Sequence, residues 1–125
     1  MLDFNGERPI FLQLADELQE GIISGIYPEQ SQIPSITEYS VAYKINPATA
    51  LKGINLLVDE GLLYKKRGIG MFVSDGAKEK LLAIRRNDFF VKMVAPLIKE
   101  AEYLNMNKTE LLDMIERGYE NGNKA

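Results

Sequence analysis

Two helix starts stand eleven residues apart in the middle of this chain, and they constrain its fold more than any other feature. In IPSITE, Ser35 can cap a helix while Glu38, three residues later, reaches back to the cap. Asn46 is a good N-cap in its turn, and Pro47 a good first helical residue. The spacing predicts a short helix over about Ile36–Tyr43 and a second from Pro47 to about Glu60, where Gly61 stops it. Two helices with so few residues between them match a helix-turn-helix. Neither is long enough to be stable alone in water, so tertiary packing must hold them.

The flanking segments complete the pattern. Ile10, Leu14, Leu18 and Ile22 recur at four-residue steps, which makes Pro9–Ser24 an amphipathic helix that Gly25 is placed to end. Ile26–Gln32 reads as a turn-rich connection. After Gly61, LLYKKRGIGMFVS reads as a β-hairpin, with strand Leu62–Lys65, turn Lys66–Gly70 and return strand Met71–Ser74. Three helices followed by a cation-tipped hairpin give a mainly α fold, a winged helix-turn-helix, over residues 1–76. Residues 77–125 read as a short helical dimerisation region. Leu82, Phe89, Met93, Leu97 and Leu104 share one helical face there, widened by Phe90, Val94, Ile98 and Ala101. Pro96 falls inside this pattern and is expected to kink or break the helix. Asn105 suits a left-handed exit, Asn107 with Glu110 signals a last helix over about Lys108–Tyr119, and NGNKA is expected to fray.

Composition narrows the chemistry. With no cysteine and no histidine among 125 residues, disulfides, thiolate metal sites and the commonest general base are all excluded. No apolar run approaches the roughly 20 residues of a membrane span, and MLDFNGERP lacks the layout of a signal peptide. The expectation is a cytoplasmic protein that is not an enzyme, with no cofactor, no metal and no membrane partner.

The net charge of −3 hides an uneven distribution. Met1–Ile33 carries one cation, Arg8, against six acids, whereas Lys44–Gly70 carries five cations against Asp59 and Glu60. A basic strip on an acidic body points to an anionic partner. A helix is about the width of the DNA major groove, and its first residues reach base edges there. Here those residues are Asn46, Ala48, Thr49 and Lys52, while Ser35 and Thr37 open the preceding helix, whose N–H groups attract a phosphate. Capping alone also explains Ser35 and Asn46. In the hairpin, Lys65, Lys66 and Arg67 precede Gly68-Ile69-Gly70, so cations sit beside backbone free to approach a phosphate or a minor groove. The GxG turn is a poor nucleotide cradle, because Met71-Phe72-Val73 continues as strand rather than helix.

At this point the chain resembles the GntR family of bacterial transcription regulators. IPS, then NPxT, then EGLLYxxRGxGxFV carry the resemblance, within about 65 residues from Pro9 to Val73. The short helical tail looks like that of the YtrA subfamily. The resemblance implies a homodimeric repressor of double-stranded DNA operators, often of transporter genes. Residue by residue it implies DNA contacts at Ser35, Asn46, Thr49, Lys52, Arg67, Gly68 and Gly70, with Thr37 and Ala48 carried over by position. The family usually has Arg where Thr37 stands, often a basic residue at Leu51, and glycine at Gln30 and Lys44.

Three readings compete for function. The leading one is a sequence-specific DNA-binding repressor paired through Leu82, Phe89, Phe90, Met93, Leu97 and Leu104, since two identical readers match a palindrome. Ordinary intrachain core is the other reading of that stripe. A winged protein-interaction module is the second functional reading, favoured by the acidic first helix and a pI of about 5.0. An enzyme is the third, and scattered carboxylates such as Asp59 and Glu60 are all it would have to work with. A small-molecule effector stays unidentified; Phe89, Phe90 and Tyr103 are candidates for its pocket, and core packing explains each.

Overall fold

The computed structural model describes residues 2–122; Met1 and residues 123–125, the end of the NGNKA tail, lie outside the described residues. The chain forms two compact units, one ending at Ala83 and one beginning at Ile84. In the first, α1 spans Ile10–Ser24, with Pro9 at its N-cap and Gly25 closing it in the left-handed conformation at φ 89°. Leu14, Ala15, Leu18, Gly21 and Ile22 are buried along one side, as the four-residue steps require.

Helix α2 covers Ile36–Tyr43, and both bonds of its capping box are made at 3.0 Å, Glu38 N–H to Ser35 Oγ and Ser35 N–H to Glu38 Oε1. Such a cap contributes about 1 kcal/mol. Tyr39 is buried and stacks on Tyr43 with ring centroids 6.1 Å apart. Burial, then a hydrogen bond with Tyr27, pushes the Tyr39 phenol well above its ordinary range. Tyr43 is pushed up to about 12, first by a hydrogen bond to Glu17 on α1 and then by burial. Neutral phenols therefore tie α2 to Glu17 of α1 and to Tyr27 just beyond that helix.

Helix α3 covers Pro47–Asp59, and Asn46 Oδ1 accepts from the Ala48 N–H at 2.8 Å. Its inward stripe is Ala50, Gly53, Ile54 and Leu57. A Cβ at Gly53 would stand 2.7 Å from the Phe11 carbonyl oxygen, so glycine lets the backbones of α1 and α3 come together. Leu14, Leu18, Ile22, Ile54, Leu57, Leu62, Leu63, Val73 and Leu81 are fully buried around this crossing. Each contributes about 1.5–3 kcal/mol over its exposed state.

The hairpin forms in the expected register, with both strands displaced one residue toward the loop. Strand β1 is Leu63–Lys66 and β2 is Gly70–Val73, antiparallel, with Leu63 opposite Val73 and Lys66 opposite Gly70. Leu62 is absent from β1 because its N–H closes α3 on the Leu57 carbonyl at 2.9 Å, beyond Gly61 at φ 77°. The connection before α2 also does more than turn. Ile33 N–H donates to Met71 O at 3.0 Å, and Val73 N–H to Ser31 O at 2.9 Å, so residues 30–33 pair along the second edge of β2.

Helix α4, Ala77–Phe89, begins in the first unit, where Ala77 and Leu81 are buried. The second unit continues through a π-helical turn, Phe90–Val94, into α5, Ala95–Tyr103, and after Asn105 at φ 60° into α6, Lys108–Glu120. Pro96 does not break the helix. Its missing N–H would leave the Lys92 carbonyl unsatisfied in an α-turn, and the chain widens just before it, with Ala95 N–H bonding Phe90 O. Asn107 and Glu110 make the expected capping box.

Gln30 and Lys44, the positions where the family usually carries glycine, are both left-handed, at φ 67° and 55°. Gln30 offsets this with side-chain bonds to Asp75 and Tyr64, whereas Lys44 has no such bond among the described residues. Lys44→Gly should therefore raise stability by about 1 kcal/mol, seen as a higher urea midpoint at unchanged slope.

Candidate nucleic-acid interface

Packing one side of α3 against α1 leaves the opposite side bare. Ala48, Leu51, Lys52 and Asn55 are all exposed, at the i, i+3, i+4, i+7 spacing of one helical stripe. With Leu56 and Asp59 they line a shallow hollow of about 350 Å³. Thr49 is half-buried at the edge of the stripe. Lys52 Nζ lies 4.1 Å from the centre of the Phe11 ring, a cation–π contact that holds its stem toward α1.

Ser35 and Asn46 both work as caps, as their hydrogen bonds require. The Asn46 amide nitrogen and the Ser35 hydroxyl hydrogen remain available to an acceptor. Ser35 and Thr37 are exposed at the start of α2, where unpaired backbone N–H groups concentrate positive potential.

The wing differs from its expected form in one respect that matters. Lys65 and Lys66 lie in β1, and only Arg67, Gly68 and Ile69 form the loop. Alternation puts Lys66 on the face of Tyr64 and Phe72, whose rings stack with centroids 5.9 Å apart, and its Nζ sits 4.4 Å from the Phe72 centroid. Lys65 points to the other face. Lys65, Lys66 and Arg67 are exposed, and none forms an ion pair among the described residues. Gly68 is left-handed at φ 76° in open space, while Gly70, at φ 149°, abuts the Gln32 side chain. Gln32 Nε2 donates to the Ile69 carbonyl at 3.0 Å and ties the loop to the paired segment 30–33.

Sequence reasoning did not single out Asn55 or Gln32. Helical periodicity counted from Ala48 finds the first. The second has no local signal, because its partner is 37 residues away.

In the second unit Phe89, Phe90, Met93, Leu97 and Leu104 are exposed, Met93 at 61%. Leu82 instead falls in the first unit and is half-buried beside Leu81. The π turn adds about one residue to its turn and rotates the residues beyond it by about 100°. The stripe counted at a uniform helical period therefore does not run straight through Pro96. Ala101 is buried, and Val94, Leu97, Ile98, Leu111 and Ile115 line an apolar groove of about 460 Å³ that involves α5 and α6. Among the described residues no cluster of three or more acids is arranged to hold a metal, and no helix is long and apolar enough to cross a membrane.

A reading helix seated on a three-helix core beside a cationic hairpin defines a winged helix-turn-helix transcription regulator. The chain belongs to the bacterial regulatory proteins of the gntR family, whose model matches residues 11–73. It is 26% identical to the HTH-type transcriptional repressor YtrA of Bacillus subtilis over 91% of this chain and 87% of that one. A solved structure described as a GntR-family transcriptional regulator from Bacteroides thetaiotaomicron superposes with a TM-score of 0.76 at 31% identity, covering 90% of this chain and 97% of the other. The DNA-binding domain of AraR, solved in complex with operator ORX1, matches with a TM-score of 0.56 at 29% identity over 59% of this chain and 95% of that one.

Removing the Gln32 side chain should loosen the wing without unfolding the domain. In Gln32→Ala, amide exchange at Arg67–Gly70 should accelerate several-fold while α3 protection is unchanged, and global stability should fall by about 1 kcal/mol.

Proposed function

We propose that this chain is a cytoplasmic, homodimeric repressor that binds a palindromic operator. The observation that carries the reading is the bare stripe Ala48–Asn55 next to three wing cations that have no acidic partner among the described residues. An exposed helix face of groove-compatible width reads base edges, and Lys65, Lys66 and Arg67 hold phosphates on either side of it. Ser35, Thr37, Asn46 and Thr49 position the helix starts against the backbone, and Gly68 and Gly70 let the wing approach closely. The AraR domain solved on its operator and the repressor similarity to YtrA support this direction, and the family resemblance points to transporter genes as the regulated unit.

Three wing cations per subunit give about six phosphate contacts per dimer. The operator affinity should then fall with salt at a log–log slope of about −5, measured by fluorescence anisotropy on a duplex from the chain's own upstream region. Lys65→Ala with Arg67→Ala should flatten the slope by about 4, since four contacts are lost per dimer, and weaken all sequences alike. A slope near zero on a bound fragment contradicts the reading.

Pairing rests on the second unit. Phe89, Phe90, Met93, Leu97 and Leu104 are large apolar side chains left exposed near the apolar groove of α5 and α6, the kind of surface that marks an interaction site. A second copy of the same tail covers it by two-fold symmetry. Met93→Glu should sediment as a monomer at micromolar concentration and lose at least tenfold in operator affinity. A dimeric Met93→Glu chain would place the interface elsewhere.

A further inference from the structure

The side chains on the outward stripe of α3 are of an unusual kind for a DNA-reading surface, and their chemistry selects the bases they can face. From Ala48 to Asn55 the stripe spans eight residues, about 10 Å along the axis, which fits the roughly 12 Å width of the major groove. Lys52, its one cation, is drawn aside onto the Phe11 ring. The centre of the stripe is therefore apolar, Ala48 and Leu51, with the Asn55 amide one turn further on. Asn55 is exposed and its side chain makes no hydrogen bond among the described residues. Beyond it Asp59 places a negative charge on the same side, which repels phosphate and ends the usable surface near Asn55.

We infer that Leu51 and Ala48 read thymine methyl groups and that Asn55 reads an adjacent adenine, so the centre of each half-site is A·T. This deepens the DNA-binding reading above and rests on it. In the major groove only thymine offers an apolar group, its C5 methyl; guanine offers N7 and O6, and cytosine its N4 amine. Leu51 against guanine or cytosine strips water from those polar atoms and gives nothing back. Against thymine it buries a methyl on a methyl. An Asn side chain pairs with adenine N6 and N7 through one donor and one acceptor. A basic side chain at Leu51 would instead favour guanine. The replacement at this position thus changes which base is preferred as well as the total charge.

The test starts with full-length protein and a randomised duplex pool. Selection should enrich half-sites with at least two adjacent A·T pairs at the centre. Replacing those thymines by deoxyuridine removes the methyl and leaves base pairing intact. It should weaken the wild-type chain about three- to fivefold per methyl. Leu51→Ala should become indifferent to one of the two replacements, and Leu51→Arg should shift selection toward guanine at that position. The uracil measurement needs no variant, so it stands even if a substitution perturbs folding. An enriched site with G·C at the centre, or one bound equally with uracil, overturns this inference and leaves DNA binding intact. A pool from which nothing is enriched overturns both.

Discussion

The approach of α1 to α3 at Gly53 governs the rest of the molecule. Any side chain there would run into the Phe11 carbonyl, so the two helix backbones meet only because this residue is glycine. Once they meet, the inward side of α3 is fixed as Ala50, Gly53, Ile54 and Leu57, and the outward side is set by the helical period. The same crossing brings the Phe11 ring beneath Lys52. Core packing and surface chemistry are therefore two results of one contact.

Local signals in the sequence were strong wherever a single residue closes a helix. Ser35 with Glu38, Asn46 with Pro47, Asn107 with Glu110, and Gly25 and Gly61 behave in three dimensions as their chemistry requires. What escaped was non-local or involved a change of period. The hairpin keeps the expected register, but its strand ends moved by one residue toward the loop, in part because the Leu62 N–H is used by the exit of α3, a bond invisible to strand alternation. The pairing of residues 30–33 with β2 joins segments about forty apart, with only a turn-like composition to announce it. Pro96 was legible as a disturbance, but its outcome was not. The chain accommodates the proline by widening the turn before it rather than by breaking, and this rotates the apolar face beyond it. Of the candidate site, the reading helix and the wing cations were legible, whereas the resting place of Lys66 on two aromatic rings required the strand pairing.

The acidic total of the chain does not conflict with an anionic partner. Acids concentrate on α1 and its approach, where Arg8 pairs with Asp16 at 2.7 Å and Glu17 serves Tyr43. Among the described residues, the cations offered by α3 and the wing form no ion pair. Electrostatic attraction is screened beyond about 10 Å in ordinary salt, so this local balance decides what approaches that face.

The pairing of β2 on both sides has a consequence for behaviour at high concentration. With β1 on one flank and residues 30–33 on the other, β2 offers no open backbone, and among the described residues β1 keeps the free edge of this small sheet. That edge is four residues long and carries Lys65 and Lys66. Two such edges brought together would set like charges side by side, which discourages copies from stitching into an extended sheet. The projecting hairpin can thus stand in solvent between encounters without becoming a seed for aggregation.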